Sequence, residues 1–380
     1  MEFIITKGEF LKGLQKSQGV ADTKGAIPIL SNILIEVADS GIWIYATDLS
    51  IGIKGFYKAS VKSKGKFTVN ARKLFDIARE LPDEDINISS KKQGAKNKET
   101  EAESPELWIN LSCGNYKTRL SGLPVDEFPV FPSYGEDYLV KFEPSQLKDM
   151  IRKTIFSISS DETRYTLNGT LLEAEGDTVK MVSTDGHRLS YIKKENPKTI
   201  EKKINVIIPQ KTTSELLKLV EDGEETVLFS IYENHVVFKK ENFVLVSRVI
   251  DGQFPNYEVV LPKNNDKRVI LNKDLLVHAL KRVSLLSDEK SKMVKFNIEK
   301  DNIELISDTA GIGEAKEKID VKYNGEGLSI GLNAKYLLDI MNAVDSNEIL
   351  LDIKDPVSPT LFTPATDENY KCVIMPMRLQ

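Results

Sequence analysis

The sequence predicts an α+β protein made of three tandem copies of one unit of roughly 125 residues, a size normal for a domain. Two observations support this prediction. The same succession of strands and helices occurs three times along the 380 residues. In addition, one polar pair falls at the matching place in every copy, at Thr47-Asp48, Thr184-Asp185 and Ser307-Asp308, with offsets of 137 and 123 residues.

Each copy begins with a strand that leads into an amphipathic helix. These segments start at Glu2, Leu139 and Lys267. Apolar residues follow helical spacing from Leu147 to Ile158 in the second copy and from Leu276 to Leu286 in the third. Ser145 and Asn272 stand where an N-cap oxygen would accept hydrogen bonds from the first free amides, so we expect the two later helices to begin there.

A strand hairpin follows in each copy, because apolar residues alternate on both sides of a short polar turn. The predicted turns are Asp39-Ser40-Gly41, Glu175-Gly176-Asp177 and Lys300-Asp301-Asn302. A further strand then enters a second helix, whose start is marked by Asn70, Pro209 and Asn333. Two closing strands complete each copy, and the last of them lie in NYKTRLSG, NFVLVSRV and NYKCVIMP.

This periodicity sets the expected domain bounds at residues 1–125, 139–257 and 258–380. Residues 126–138 are rich in proline and acidic side chains, which is typical of a linker between domains. A second linker is expected at 257–267. The charged segment 91–106 has no apolar periodicity and is interpreted as a disordered surface loop.

Composition excludes several classes of protein. The chain has 41% hydrophobic and 29% charged residues, and no apolar run approaches the roughly 20 residues that a membrane span needs. No secretion signal, P-loop, GxSxG or HExxH motif is present. The two cysteines, Cys113 and Cys372, form no CxxC pair. We therefore expect a cytoplasmic protein without metal, cofactor or membrane partner.

Triplication favours a scaffold over an enzyme, since a catalytic site needs one unique set of groups. A head-to-tail contact between the unlike ends of such a chain either closes into a ring or grows into a filament. The net charge of −5 argues against a surface coated in cations for nucleic acid, yet the predicted helices are rich in them. On the first helices of the copies these are Lys7, Lys12, Lys16, Lys148, Arg152, Lys153, Lys273, Lys281 and Arg282, and on the second helices Arg72, Lys73, Arg79, Lys211, Lys218 and Lys335.

Two interpretations of these cations remain open. They are either solvated helix faces of a scaffold that does not bind DNA, or the positive lining of a ring with a negative exterior. In the second case phosphates would be attracted into the hole, through contacts that are independent of base sequence and sensitive to salt.

The stretch STDGHRLS raises a separate question, because Ser183, Asp185, His187 and Ser190 are the residue types of a hydrolase. Three interpretations are considered: a strand with polar edge residues, a catalytic triad, and a binding groove. A triad is disfavoured, since neighbouring residues of a strand point to opposite faces and no substrate-pocket motif accompanies the stretch.

Several segments together resemble the bacterial sliding clamps, the beta subunits of DNA polymerase III. They are IPILSNILIEV, NARKLFDIARELP, RYTLNGTLLE, STDGHRLS, DGQFPNYEVVLP and VIMPMRL, and the resemblance spans essentially the whole chain. It implies three clamp domains per chain and a head-to-tail homodimeric ring around double-stranded DNA, with helices lining the hole and antiparallel sheets outside. It also implies a processivity factor without catalytic activity. Implied partners are the replicative polymerase, the clamp loader, repair polymerases, ligase and mismatch-repair proteins.

The resemblance also assigns residues at matching positions. The pocket for partner peptides would contain Leu167, Thr184, Gly186, His187, Arg188, Leu189, Pro255, Val260, Val357, Val373, Met375, Pro376, Met377 and Arg378. DNA would be contacted by Lys24, Arg72, Lys73, Tyr165 and Lys211. The dimer interface would join Lys117 and Leu120 of one copy to Leu285, Leu286, Glu314 and Glu317 of the other. Position 259 is valine where some family members carry arginine.

Overall fold

The computed structural model describes residues 1–21, 25–92, 107–221 and 223–379. It divides into two compact units, each discontinuous in sequence. Unit 1 contains Met1–Pro144 and Ser214–Val249, and unit 2 contains Ser145–Thr213 and Ile250–Gln380. The surface loop expected at 91–106 lies outside the described residues from position 93 onward.

The helices of the described residues are α1 (Lys7–Gln18), α2 (Ala71–Glu80), α3 (Pro144–Arg152), α4 (Gln210–Glu221), α5 (Lys273–Val283) and α6 (Ala334–Ala343). The strands of the first repeat are β1 (Glu2–Thr6), β2 (Asn32–Val37), β3 (Gly41–Thr47), β4 (Ile51–Lys58), β5 (Ser60–Ser63), β6 (Gly65–Asn70), β7 (Asp85–Lys92), β8 (Leu107–Cys113) and β9 (Tyr116–Gly122). Those of the second are β10 (Val140–Phe142), β11 (Gly169–Thr184), β12 (Arg188–Pro209), β13 (Val227–Tyr232), β14 (His235–Lys240) and β15 (Phe243–Arg248). Those of the third are β16 (Lys267–Asn272), β17 (Met293–Glu299), β18 (Asn302–Thr309), β19 (Gly313–Asp320), β20 (Leu328–Asn333), β21 (Glu348–Ile353), β22 (Thr360–Pro364) and β23 (Tyr370–Ile374).

Unit 1 is built on two antiparallel sheets. One has the strand order β5-β1-β7-β8-β9, and the other has the order β10-β13-β14-β15-β4-β3-β2-β6. Helices α1 and α2 contact each other. The apolar sides of sheets and helices meet in a core that contains the fully buried rings of Phe3, Phe10 and Phe67.

Unit 2 has the same two-sheet construction. Its sheets have the orders β11-β12-β23-β22-β21-β16 and β19-β18-β17-β20, and α5 contacts α6. The long strand β11 contains the predicted second hairpin, because the hydroxyl oxygens of Thr170 and Ser183 lie 2.9 Å apart although 13 residues separate them. The chain therefore reverses between them, at Gly176, whose φ of +58° suits a tight turn.

Asparagine side chains fix the starts of three helices. The oxygen of Asn70 accepts from the Lys73 amide at 3.0 Å, and that of Asn272 accepts from the Leu275 amide at 3.1 Å. Asn333 plays the same part for α6. The predicted cap at Asn272 is confirmed, and each such cap satisfies an amide that has no partner inside the helix.

The prediction for the second repeat is wrong at both ends of its first helix. This helix, α3, begins at Pro144 rather than after Ser145, since proline fits the first helical position, where its missing N–H is not needed. It ends at Arg152, so Ile155 lies outside it in a short 3₁₀ turn. The hydroxyl of Thr154 donates to the Met150 carbonyl at 2.8 Å and closes the helix end.

One pair of strands in each unit joins two different copies of the repeat. In unit 1, β15 of the second copy pairs antiparallel with β4 of the first, with Phe243 opposite Gly55. In unit 2, β23 of the third copy pairs antiparallel with β12 of the second, with Tyr370 opposite Ile192. The offset of 137 residues from Gly55 to Ile192 equals that from Thr47 to Thr184, and the offset of 127 from Phe243 to Tyr370 equals that between the closing segments that start at Asn242 and Asn369. The two joints therefore use corresponding strands in the same register.

Two strands correspond in sequence position to the joint strands but take no part in a joint, and both lie at sheet edges. The first repeat contributes β9, the counterpart of β15 and β23, and the third contributes β19, the counterpart of β4 and the first half of β12. The topology places β9 at one edge of its sheet and β19 at one edge of another. An edge strand exposes a row of backbone donors and acceptors that can pair with a further strand.

The predicted first linker packs against the joint in unit 1. The ring of Phe131 lies 5.4 Å and that of Tyr134 4.9 Å from the Lys54 ammonium on β4. Both rings also pack against a cluster that includes Val244 and Val246 of β15. Aromatic rings attract a cation placed over their faces. The linker thus contacts both strands of the joint.

We expect Phe131→Ala to lower the free energy of unfolding by about 2 kcal/mol, because a half-buried ring loses its contacts with Lys54, Tyr134 and two valines. The neighbouring Val130 is 93% exposed, so Val130→Ala should change stability by less than about 0.5 kcal/mol. Chemical denaturation followed by circular dichroism would compare the two. Equal effects would mean that the linker adds nothing to the joint.

Both thiols should be inert in the folded protein. Cys372 of β23 is fully buried, and this burial raises the pKa of its thiol to about 11. At pH 8 the thiol at this position therefore stays protonated, and the thiolate is the reactive form. Cys113 is buried as well. We expect Ellman's reagent to label neither native thiol within minutes and both after unfolding. Rapid labelling of one native thiol would contradict this assignment.

Candidate functional site

The STDGHRLS stretch forms the turn between β11 and β12. One Asp185 carboxylate oxygen accepts from the backbone amides of His187 at 2.9 Å and Arg188 at 3.0 Å, and the Thr184 hydroxyl donates to the Arg188 carbonyl at 2.6 Å. Gly186 has a φ of +87°, a value that glycine adopts without strain. The acidic residue and the threonine are therefore first of all turn-forming residues.

The first repeat contains the same turn. There the Thr47 hydroxyl donates to the Ile51 carbonyl at 2.9 Å, and Asp48 accepts from the amides of Ser50 at 2.9 Å and Ile51 at 2.8 Å. The Thr-Asp pairs of the first two repeats thus have a local structural cause, since each satisfies the backbone of one tight turn. The matching Ser307 of the third repeat instead donates to the Val283 carbonyl.

No triad is assembled in this stretch. The Ser183 hydroxyl is fully buried against Thr170, and the Ser190 hydroxyl bonds to Ser157 at 2.9 Å. The Asp185 carboxylate is occupied by backbone amides and by Arg188. Among the described residues, no hydrogen bond or ion pair joins that carboxylate to the imidazole of His187. The side chains that a hydrolase would need are turned to other partners.

The same turn borders a cavity of about 330 Å³ within unit 2. Ten of the residues predicted for the peptide pocket line it, namely Leu167, Thr184, Gly186, His187, Arg188, Leu189, Pro255, Val260, Val373 and Met375. Asn256, Tyr257, Val259 and Pro359 line it as well and were not predicted. The structure thus brings together residues from β11, β12, the second linker and β23. Their role in binding peptides stays a prediction.

Four predicted pocket residues lie outside this lining: Val357, Pro376, Met377 and Arg378. Val357 is 69% exposed in the loop before β22. The Met377 amide donates to the Gly331 carbonyl of β20 at 2.8 Å, which directs this part of the chain along the third repeat. Arg378 is exposed next to it.

The cavity is predominantly apolar. Its floor is a buried cluster that includes Leu167, Leu189 and Val373, and Val260 packs against that cluster. At the rim Met375 is 40% exposed, and its amide donates to the His187 carbonyl at 2.9 Å. A flexible thioether beside branched aliphatic side chains can adapt to several apolar ligand groups.

Tyr257 connects the second linker to this cavity. Its hydroxyl donates to the Glu173 carboxylate at 2.6 Å, and its ring lies 5.9 Å from that of Tyr191 on β12. Burial, together with the hydrogen bond and charge of Glu173, raises the pKa of Tyr257 well above its ordinary value. The phenol therefore remains a donor, which fixes the linker on the sheet. Sequence reasoning missed this residue, although its place in DGQFPNYEVVLP was a usable signal.

Arg188 is more enclosed than a ligand-binding arginine would need to be. It is 8% exposed, and its guanidinium donates to Asp185 at 3.1 Å and to Asp339 at 2.6 Å. It also donates to the Phe156 carbonyl and lies over the Tyr336 ring at 4.4 Å from the centroid. These groups of the same unit occupy three of the five N–H donors of the guanidinium.

The residues predicted to contact DNA are exposed where they are described. Arg72 and Lys73 lie in the first turn of α2, and Lys211 lies in the first turn of α4. Tyr165 is 59% exposed in a 3₁₀ turn before β11. Lys24 lies outside the described residues.

Several of the helix cations have internal partners. Lys153 is 6% exposed and pairs with Asp149 at 2.9 Å and Asp367 at 3.3 Å. Lys7 and Lys273 donate to carbonyls just after the ends of α2 and α6, where the helix dipole favours positive charge. These three cations are therefore engaged by groups of the protein itself.

The residues predicted for the dimer interface lie along the two edge strands or beside them. Lys117 and Leu120 are on β9, and Glu314 is on β19 with Glu317. Glu317 pairs with Arg282 of α5, and this hydrogen bond lowers the pKa of the glutamate. Leu285, next to Leu286 in the 3₁₀ turn after α5, is 80% exposed. Together they give two edges with apolar and charged side chains.

None of the helices in the described residues is long and apolar enough to span a bilayer. No group of three or more histidine, cysteine, aspartate or glutamate side chains is placed to hold a metal ion in the part of the chain that the structure describes.

The whole length of the chain is similar to known proteins. Models of the DNA polymerase III beta subunit match in three places: the N-terminal domain at residues 1–132, the central domain at 141–256 and the C-terminal domain at 258–378. The beta sliding clamp of Caulobacter vibrioides is 36% identical and that of Escherichia coli K12 is 31% identical, each with 100% of both chains covered.

Solved structures agree. A sliding clamp from Pseudomonas aeruginosa bound to griselimycin superimposes with a TM-score of 0.90 at 31% identity over 100% of both chains. The beta sliding clamp of C. crescentus gives a TM-score of 0.90 at 34% identity, covering 100% of this chain and 99% of that one. With three clamp domains in tandem and full-length similarity, this chain belongs to the DNA polymerase III beta subunit family, the bacterial beta sliding clamps.

Proposed function

We propose that two copies of the chain close head to tail into a ring that encircles duplex DNA, slides along it without reading its sequence and tethers the replicative polymerase. One observation carries this proposal. The same strand joint occurs in both units, and the two strands that would make a third joint, β9 and β19, lie at sheet edges. These two strands do not pair with each other in the described residues, so we assign the third joint to β9 of one chain and β19 of a second.

The register of the third joint follows from the other two. Thr47, Thr184 and Ser307 lie opposite Gly52, Leu189 and Ala315 in their hairpins. Three positions after Gly52 comes Gly55, which lies opposite Phe243 at the start of β15. Three positions after Leu189 comes Ile192, which lies opposite Tyr370 at the start of β23. The corresponding pair in the third joint is Tyr116 opposite Lys318 of the second copy.

This register also agrees with the charges of the two edges. It places Lys117 opposite Glu317 and Leu120 opposite Glu314, so one opposite-charge pair lies directly across the joint. Cross-strand pairs of opposite charge are favourable, whereas like charges would oppose pairing. The exposed Leu285 and its neighbour Leu286 supply apolar area beside β19. Because the contact joins unlike ends, it must close or polymerise, and closure with two copies leaves no free end.

A cross-linking experiment would test this register. We expect a chain with Thr118→Cys and Lys316→Cys to form a covalent dimer with a short bis-maleimide, since these positions face each other across the joint. The native cysteines are buried. The control pairs Thr118→Cys with Ala315→Cys, which shifts one partner by a residue and turns it to the other face of the sheet. Equal cross-linking of both variants, or of neither, would refute the register.

For DNA we propose contacts from Arg72, Lys73, Tyr165 and Lys211, together with Lys24. The exposure of the four described residues supports this proposal. Cations at helix starts can meet phosphates through water and release counterions without fixing the protein to one base sequence. Retention then comes from enclosure, which is compatible with sliding.

For partner proteins we propose the apolar cavity beside the turn 184–188 as the docking site. Its size and lining suit two or three apolar side chains of a short peptide. The griselimycin complex of the P. aeruginosa clamp shows that a relative binds a ligand. The partners would be the polymerase catalytic subunit, the clamp loader, repair polymerases, ligase and mismatch-repair proteins.

We also propose that the chain is a non-catalytic, cytoplasmic protein with domains at 1–125, 139–257 and 258–380.

The decisive experiment uses nicked circular DNA, the clamp loader of the same organism and ATP. We expect the loaded protein to co-elute with the circle in gel filtration and to be lost after one restriction cut, because a ring leaves through a free end. Streptavidin on biotinylated ends of the cut DNA should restore retention. If the protein stays on the DNA after the restriction cut without blocked ends, it adheres to DNA, and the enclosing ring is excluded.

A further inference from the structure

We propose that Asp339 of α6 is a positioning residue for the apolar cavity of unit 2 and acts through the guanidinium of Arg188. Asp339 is not among the residues that line the cavity. This inference rests on the proposed function, since it concerns the shape of the site that would take a partner peptide.

Arg188 ties three segments of unit 2 together. It is the first residue of β12, and it donates to Asp185 in the turn, to the carbonyl of Phe156 in the 3₁₀ turn Ile155–Ser157 and to Asp339 of α6. The Asp339 contact is an ion pair of 2.6 Å to a side chain that is 8% exposed, whereas the Asp339 side chain itself is 27% exposed. Such a charge-assisted bond is short and strongly directional.

Helix α6, which carries Asp339, is held in place by its buried face and its N-cap. Its residues Leu337, Ile340 and Met341 are buried, and its first turn is capped by Asn333. The Tyr336 ring lies against the guanidinium from the same helix. Because α6 is fixed by its core face, Asp339 sets where the guanidinium lies, and the guanidinium sets where the turn 184–188 lies.

The turn in turn shapes the cavity. Thr184, Gly186 and His187 line it, and the His187 carbonyl accepts from the amide of Met375 at the rim. Loss of Asp339 leaves the enclosed guanidinium short of one acceptor, and such a charge moves toward water or its remaining acceptors. The backbone of the turn and the Met375 rim would move with it. The apolar lining would then fit its ligand less well.

The experiment measures binding of griselimycin by isothermal titration calorimetry, with thermal unfolding recorded for every variant. We expect Asp339→Ala to raise Kd by about tenfold and Asp339→Asn, which keeps an acceptor oxygen, to raise it by about threefold. Asp339→Asn also keeps the test valid if the alanine variant does not fold. A Kd within twofold of the original chain for both variants, or for the asparagine variant when it alone folds, would overturn the proposal.

Asp367→Ala is the matched control. Asp367 has a side chain that is 22% exposed and pairs with Lys153, whose side chain is 8% exposed, in the same unit. It lies in the turn before β23, whereas the cavity is lined by residues at the other end of that strand. We expect a similar loss of thermal stability with Kd unchanged within twofold. A weakening of binding equal to that of Asp339→Ala would reduce the role of Asp339 to stability alone and refute positioning.

A double-mutant cycle checks the route. If Asp339 acts through Arg188, the double variant Asp339→Ala with Arg188→Met should bind as Arg188→Met alone does. Additive losses would contradict the proposed route. Failure of the original chain to bind griselimycin would count against the cavity as the docking site, and so against the proposed function, before any variant is compared. Binding by the original chain with unchanged variants would refute only the inference about Asp339.

Discussion

Backbone pairing across repeat boundaries is the interaction on which the rest of this structure depends. The last strand of one repeat pairs with a strand of the preceding repeat. In unit 1 these strands are β15 and β4, and in unit 2 they are β23 and β12. Each joint extends a sheet from one repeat into the next. The eight-stranded and six-stranded sheets therefore contain strands of two repeats, whereas the five-stranded and four-stranded sheets contain strands of one. The linkers pack over the same joints with Phe131 and Tyr134 in one case and Tyr257 in the other. The proposed ring uses this joint once more, between chains.

Charge in this protein is divided between structural and exposed roles. Lys7 and Lys273 neutralise helix ends, Lys153 is enclosed by two aspartates and Arg188 is held by three segments. Arg72, Lys73 and Lys211 are exposed at helix starts. A count of lysines and arginines on helices therefore overstates the charge available to a polyanion. The exposed subset remains compatible with weak contacts to phosphates that do not depend on base sequence.

Much of the fold could be predicted from the sequence, because three copies of one pattern reinforce each other. The hairpins, the asparagine caps and the repeat order follow from alternation, spacing and cap chemistry. The start of α3 could not be placed, since serine and proline stand side by side and either can open a helix. The apolar lining of the cavity was largely predicted, but Tyr257 in the second linker and Pro359 in the loop before β22 were missed because neither segment carries periodicity. The pairing of Arg188 with Asp339 could not be found, since Asp339 is 151 residues away in sequence.

The turn after β11 differs from its counterpart in the first repeat at three positions, where Gly186, His187 and Arg188 stand in place of Leu49, Ser50 and Ile51. Both turns are held by the same threonine and aspartate pattern, and both place their third residue at positive φ. The first repeat carries Leu49 there, 53% exposed, whereas the second carries Gly186, and a Cβ at that position would lie 2.6 Å from the Arg164 guanidinium. The absence of a side chain at Gly186 lets Arg164 pack against the turn of the second repeat, whereas the turn of the first repeat exposes Leu49. Duplicated modules can in this way diverge in what they recognise while their frameworks stay superimposable.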